Sequence, residues 1–126
     1  MGAQNREGTA EDAWGDLAGA YSARSLADGG TVAVTVTGDP AYGLTWRMIS
    51  ATGQVWAGSL EDANKERDGN RVFSGWFEPD GAEDNGWAEL QLKKQNGTWS
   101  AVMLEVWQGG RPASPHRGKR WALTKQ

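Results

Sequence analysis

The sequence contains no cysteine and a single histidine, His116, among its 126 residues. Without cysteine the chain can form no disulfide and offers no thiolate for catalysis or metal binding, and its redox compartment is left open. His116 lies between two prolines and a glycine with no acidic residue near it in sequence, which argues against a Ser-His-Asp arrangement. The acidic run 78–84 lacks the spacing of a calcium-binding loop. We therefore expect no catalytic residue, no metal site and no cofactor.

Long apolar runs are also missing. No stretch approaches the roughly 20 apolar residues of a membrane helix, and the polar start MGAQNREGTAED does not read as a secretory signal. These features predict a protein outside the membrane, either cytoplasmic or exported with its signal removed. A net charge of −3 argues against a nucleic-acid partner, although the basic loop 111–120 lies beside two tryptophans.

What the sequence does contain is a series of short strand patterns separated by turn residues. The segment TVAVTVT alternates valine with threonine, as a half-buried strand does. We predict seven strands, at residues 31–37, 44–49, 54–60, 71–78, 87–94, 98–107 and 119–125. Their spacing leaves no room for crossover helices, so we expect an all-β, antiparallel up-and-down meander, closed or nearly closed into a barrel. Residues 1–8 are expected to be a disordered lead-in, and residues 9–126 to form a single domain.

Two interpretations of residues 9–21 remain open. The sequence TAED at residues 9–12 resembles a capping box, and the apolar residues that follow it share one helical face, which favours a short N-terminal helix. Gly15 and Gly19 each oppose a helix by about 1 kcal/mol. The segment 17–21 would otherwise be an eighth strand.

The Asn96-Gly97 pair is typical of a two-residue hairpin turn and predicts which side chains share a face. An unbroken ladder from this turn places Leu90 opposite Met103 and Ala88 opposite Glu105. Glu105 would then point into the barrel, where it could anchor a ligand, with Lys119 or Lys125 as its charge partner. The opposite face of this hairpin would be partly apolar, and the N-terminal helix or a second copy of the chain could cover it.

Eight tryptophans occur in the chain, far more than in an ordinary protein. Most lie in predicted strands, and large aromatic side chains can line a cavity for an apolar or planar ligand or stack on sugars. The alternative is that they fill the core of a narrow barrel. The predicted ligand-binding residues are Trp46, Trp56, Trp99, Met103, Glu105, Trp107 and Trp121.

Four segments together resemble the middle strands of avidin-like barrels, within the wider calycin group that includes the lipocalins. They are RVFSGWFE (71–78), Gly86-Trp87, TWS (98–100) and RWALT (120–124), and the resemblance covers about residues 71–124. It implies an antiparallel ligand-binding barrel in which tryptophans such as Trp99 and Trp121 wall the pocket. It does not imply biotin binding, because residues 19–22 (GAYS) replace the family's first-strand pattern with its ligand-binding asparagine.

The sequence thus leaves three functions to compare. The first is non-catalytic binding of a small apolar, aromatic or sugar-like ligand in a tryptophan-lined interior. The second is a solid barrel that acts through its surface as an inhibitor, immunity or assembly protein. The basic loop 111–120 or the acidic loops would then be the contact surface. The partner could be another protein or a second copy of the chain in a homo-oligomer. The third is a barrel cyclase or isomerase that relies on shape and one carboxylate.

Overall fold

The structure is a computed structural model that describes residues 15–39, 43–79, 86–109 and 117–126. In it eight strands form a closed antiparallel barrel in which each strand pairs with its neighbours in sequence and the first pairs with the last. The strands are β1 (Gly19–Ser25), β2 (Thr31–Asp39), β3 (Gly43–Ile49), β4 (Val55–Arg67), β5 (Asn70–Pro79), β6 (Gly86–Gln95), β7 (Thr98–Gln108) and β8 (Lys119–Lys125). The predicted all-β meander is confirmed, with eight strands, and closure leaves no unpaired sheet edge.

The N-terminal segment combines both interpretations of the sequence. Residues 15–17 form a helical turn, and β1 begins two residues later. Leu17 is fully buried, and its carbonyl oxygen accepts a hydrogen bond of 2.6 Å from the Tyr21 hydroxyl. The backbone N–H of Trp99 donates a hydrogen bond to the Asp16 carboxylate, which connects the helical turn to β7. The turn thereby covers one end of the barrel, called the closed end below. The predicted capping box and lead-in lie outside the described residues.

Side chains fill the interior of the barrel between the closed end and the opposite end. The rings of Trp46 and Phe77 pack at an angle of 60° with their centroids 5.3 Å apart, and the centroid of the Trp56 ring lies 5.7 Å from that of the same phenylalanine ring. The largest fully buried apolar side chains are Trp46, Tyr21, Phe73, Phe77, Leu17, Leu44, Met48, Leu60, Leu90, Leu92 and Leu104. This is the packing expected of an eight-stranded barrel, whose width is about that of its own side chains.

The β6–β7 hairpin departs from the predicted register. Asn96 and Gly97 both have positive φ, as the predicted turn requires, and Leu92 faces Ala101 as expected. Between Gln91 and Leu92 the register then shifts by one residue, and Leu90 faces Leu104 instead of Met103. A bulge of this kind moves every later side chain to the opposite face of the strand.

The predicted inward position of Glu105 is therefore wrong. Past the bulge Glu105 faces Glu89 across the hairpin, on the outer face of the barrel, and Met103 and Trp107 lie on that face with it. Leu104 and Val106 take the interior positions instead, where they join the buried core. The sequence could not reveal the bulge, because both faces of β7 carry apolar residues.

Strand β4 extends seven residues beyond its predicted end, because the charged run EDANKER (61–67) continues it. A second register shift, between Asp62 and Glu66, accompanies a positive φ at Asn64. Beyond this shift Arg67 and Asp68 reach side chains on the outer face of β6 and the segment leading into β8. The end of the β4–β5 hairpin therefore supplies the cover over this outer face that we had expected from the N-terminal helix or a second copy.

None of the helical residues in the described ranges forms a segment long and apolar enough to span a membrane.

Candidate functional site

The end of the barrel opposite the closed end holds a cavity of about 280 Å³, called the mouth cavity below. Its rim is built by the β1–β2 turn, the β3–β4 turn and the start of β8. Its lining residues are Ser25, Asp28, Gly30, Thr31, Val32, Met48, Ser50, Ala51, Thr52, Gln54, Trp56, Lys119 and Trp121. A second groove of about 270 Å³ lies beside it and shares Trp56 and Lys119 with it.

Local hydrogen bonds hold both turns of the rim. In the β1–β2 turn, Ser25 N–H donates to the Gly30 carbonyl at 2.8 Å, and the Leu26 N–H donates to the Arg120 carbonyl at 3.0 Å. In the β3–β4 turn, Ser50 and Gln54 are joined by both a backbone bond and a bond to the serine hydroxyl. The turns therefore present a defined polar rim around an apolar wall.

Two tryptophans form the wall of the mouth cavity. Trp56 and Trp121 are 8% and 4% exposed, and their rings meet edge to face with a centroid distance of 6.1 Å. Met48 and Val32 complete the apolar lining below and beside them. The indole Nε1–H of Trp56 is buried and has no hydrogen-bond partner in the described part of the chain. A buried donor without an acceptor costs free energy, so an acceptor supplied by a ligand would stabilise this site.

The ionisable side chains that line the cavity are Asp28 and Lys119. The Asp28 carboxylate accepts a hydrogen bond of 2.8 Å from Gly30 N–H, and this bond is the main reason why the pKa of Asp28 lies below its ordinary value. The Lys119 ammonium lies 5.1 Å above the centre of the Trp121 ring. Lys119 was predicted as a partner of Glu105, but the structure directs it to the mouth.

The structure divides the seven predicted ligand-binding residues among three places. Trp56 and Trp121 line the mouth cavity, whereas Trp46 lies deeper in the core and Trp99 packs against the core next to the closed end. The remaining three, Met103, Glu105 and Trp107, lie on the outer face. Sequence reasoning did not select Val32, Met48 or Gln54, although each stands next to a rim turn, and proximity to a turn is the signal that would have found them.

Glu105 instead belongs to a group of ion pairs on the outer face, called the outer charged layer below. Its fully buried carboxylate accepts two bonds of 3.0 Å from the Arg117 guanidinium and one of 2.7 Å from Gly118 N–H. Arg117 also binds Asp68 at 3.0 Å. The hydrogen bonds that Arg117 donates, to Glu105 first and then to Asp68, raise the pKa of Arg117, and the bond from Arg117 lowers the pKa of Asp68.

Glu89 is the second buried carboxylate of the outer charged layer. Arg67 donates two hydrogen bonds to it, and the Lys65 ammonium lies 3.0 Å from its second oxygen. Burial opposes ionisation of Glu89, but the bonds from Arg67 and Lys65 outweigh this effect and bring its pKa below the ordinary value. The Arg67 guanidinium also lies over the Trp107 ring at 5.8 Å. The outer charged layer contains three acids and three bases, so its charges balance. Its ion pairs attach the end of the β4–β5 hairpin to the outer face of the barrel.

The basic loop 111–120 is only partly described, and residues 111–116, His116 included, lie outside the described ranges. Within the part that the structure describes, Arg117 is engaged by two carboxylates and Lys119 faces the mouth. The same ranges contain no group of three or more side chains arranged to hold a metal ion.

Comparison of the chain with family models, with curated proteins and with solved structures gave no match. The resemblance to avidin-like calycins therefore stays a prediction.

Proposed function

We propose that the protein binds a small apolar or aromatic molecule in the mouth cavity, without catalysing a reaction on it. The observation that carries this proposal is the pair of crossed tryptophans, Trp56 and Trp121, that line the cavity. The indole N–H of Trp56 is buried and has no partner among the described residues. Ligand sites are typically concave, largely apolar and provided with a few convergent polar groups. The mouth cavity has each of these properties.

The volume and position of the cavity limit the ligand. At about 280 Å³ the cavity is at the small end of the range for ligand pockets, and Trp46 and Phe77 fill the barrel below it. The ligand would therefore lie at the mouth and would be about the size of one or two rings. The proposal keeps Trp56 and Trp121 from the residues predicted by sequence and adds Val32 and Met48.

Filling the cavity tests the proposal. Val32→Trp places a large ring among the lining residues, and we expect it to abolish binding while the barrel remains folded. The matched control is Ala33→Trp, because Ala33 is the next residue of β2 and its side chain is exposed on the outer face. Native mass spectrometry of the purified wild-type protein would reveal a co-purified ligand, and nuclear magnetic resonance titration with indole would measure binding by all three proteins.

Two results would contradict the proposal. One is an absence of any bound molecule together with an absence of saturable binding by indole or a similar ring. The other is equal binding by the wild type and a folded Val32→Trp variant, which would place the ligand elsewhere on the protein.

A second candidate function, recognition of a protein partner by the outer surface, is favoured by one observation. Trp76 is 46% exposed on the outer face of β5, and its ring meets the ring of Trp87 on β6 edge to face at 5.2 Å. Exposed tryptophans are enriched where proteins associate. A second copy of the chain is the first partner to test. Sedimentation of the wild type and of Trp76→Ser would show a loss of self-association in the variant if this face is used.

A further inference from the structure

We infer that the ligand of the mouth cavity is a planar organic anion, such as an aromatic carboxylate, held by the Lys119 ammonium and the Trp56 indole N–H. This inference rests on the proposed function and adds to it the charge of the ligand. It draws on three features of the cavity, which are its charge, its unpaired indole donor and the shape of its wall.

The first feature is an imbalance between the two charged groups of the lining. Asp28 is turned toward its own loop, where Gly30 N–H binds its carboxylate. Lys119 contributes to the lowered pKa of Asp28 through space, but no carboxylate of the described residues lies within 4.0 Å of its ammonium, and its close contact is the face of the Trp121 ring. An ammonium above an aromatic ring at a cavity rim can accept an anion without giving up an existing ion pair.

The second feature is a buried indole donor without an acceptor. Trp56 is more than nine-tenths buried, and its Nε1–H has no acceptor in the described part of the chain. Trp56 and Lys119 line both the mouth cavity and the adjoining groove, so the two side chains border the same space. A carboxylate offers two acceptor oxygens, enough for one bond from each of these two donors.

The third feature is the shape of the wall. The Trp56 and Trp121 rings are inclined at 86° to each other, so a flat ligand can lie on the face of one ring and meet the edge of the other. Aromatic rings favour both of these geometries. A flexible aliphatic acid would gain the charge contact but would lose the ring contacts and more conformational entropy on binding.

The test compares two probes of nearly equal shape, 2-naphthoate and the neutral 2-naphthamide, by isothermal titration calorimetry. At low salt the wild-type protein should bind the anion about fivefold more tightly than the amide, and 0.5 M salt should remove most of this preference, because Lys119 is exposed and its charge is screened. Lys119→Met should abolish the preference, because the affinity for the anion should fall to that for the amide. Lys93→Met is the matched control. Lys93 is also exposed, but it lies near the Asn96-Gly97 turn and does not line the mouth cavity.

A second pair of variants tests the indole donor. Trp56→Phe keeps an aromatic ring but removes the N–H, and we expect it to weaken binding of both probes about tenfold. Trp46→Phe is the control, because its indole N–H is also buried without a described partner but does not line the mouth cavity. Thermal unfolding of each variant confirms that it is folded.

The outcomes separate this inference from the proposed function. Equal affinities for the two probes, unaffected by Lys119→Met, would overturn the anionic ligand and leave a neutral ligand in the cavity. Unchanged affinity in a folded Trp56→Phe variant would overturn the role of the indole donor. Binding of neither probe would overturn both the inference and the proposed function.

Discussion

Glu89 and Glu105 stand directly opposite each other on adjacent antiparallel strands, and both carboxylates are fully buried on the outer face of the barrel. Like charges at such a position destabilise a sheet unless cations compensate them. Arg67 and Lys65 bind Glu89, and Arg117 binds Glu105. The cations come from the β4–β5 hairpin and from the segment before β8, so the acid pair fastens two distant parts of the chain to the same face.

The depressed pKa of Glu89 predicts a loss of stability in acid. A carboxylate whose pKa is lower in the folded state contributes stability above its unfolded-state pKa, and this contribution is lost as the pH falls through the folded-state pKa. The free energy of unfolding should therefore decline as the pH drops below about 4.5, the ordinary value for this group. Glu89→Gln should be less stable than the wild type at pH 7 and should lose less stability on acidification. Urea unfolding from pH 7 to pH 3 measures both curves, and parallel curves would contradict the assignment.

Removal of Arg117 should leave the buried Glu105 carboxylate without its guanidinium partner. We expect Arg117→Ala to lower the free energy of unfolding by about 2 kcal/mol, less than for a fully buried pair because Arg117 is about one-third exposed. Arg47→Ala is the control, since Arg47 is an exposed arginine on the outer face of β3, and it should stay within about 0.5 kcal/mol of the wild type. In the double variant Arg117→Ala with Glu105→Leu, stability should partly recover, and a further loss would show that the charge is not what destabilises the single variant.

The solid core predicts a large difference between interior and surface tryptophans. Trp46→Ala should cost about 3–5 kcal/mol, because the side chain is 2% exposed and packs on Phe77. Trp76→Ala removes a side chain that is 46% exposed and should cost less than half as much. Chemical unfolding followed by circular dichroism avoids the change in fluorescence that removal of a tryptophan causes. Similar costs for both substitutions would indicate that the interior is not packed as described.

Deletion of Val102 should test the bulge in β7. Val102 has no partner across the hairpin where the register shifts, and its removal would restore an unbroken ladder from the Asn96-Gly97 turn. That ladder would still pair Leu104 with Leu90 and Glu105 with Glu89, so we expect the deletion variant to fold with Glu105 on the outer face and to lose only the stability that depends on the local twist of the bulge. Val102→Ala keeps the residue count and should be well tolerated by comparison. A deletion variant that unfolds, or in which Arg117→Ala no longer lowers stability because Glu105 has left the outer face, would refute the account of the bulge.

Much of the fold could be predicted from local pattern. Alternation in the TVAVTVT segment, the Asn96-Gly97 turn and the short spacing between strands are sufficient for an antiparallel meander, because each is a property of neighbouring residues. Trp56 and Trp121 were likewise identified as candidate wall residues, since both lie in strands whose alternation points them inward.

The features of the fold that local pattern did not predict depend on contacts between residues far apart in the sequence. The bulge at Val102 and the extension of β4 through EDANKER bring the end of the β4–β5 hairpin against the outer face of β6, an arrangement that no local pattern records. The same contacts placed Glu105 outside the barrel and made Arg117 its partner. The sequence by itself determined a tryptophan-rich barrel of short antiparallel strands, because hydrophobic alternation and turn chemistry are local. Only the tertiary structure decided which face each later residue of β7 occupies, where the mouth cavity lies and which cations bind the two buried acids, because these depend on register and on burial.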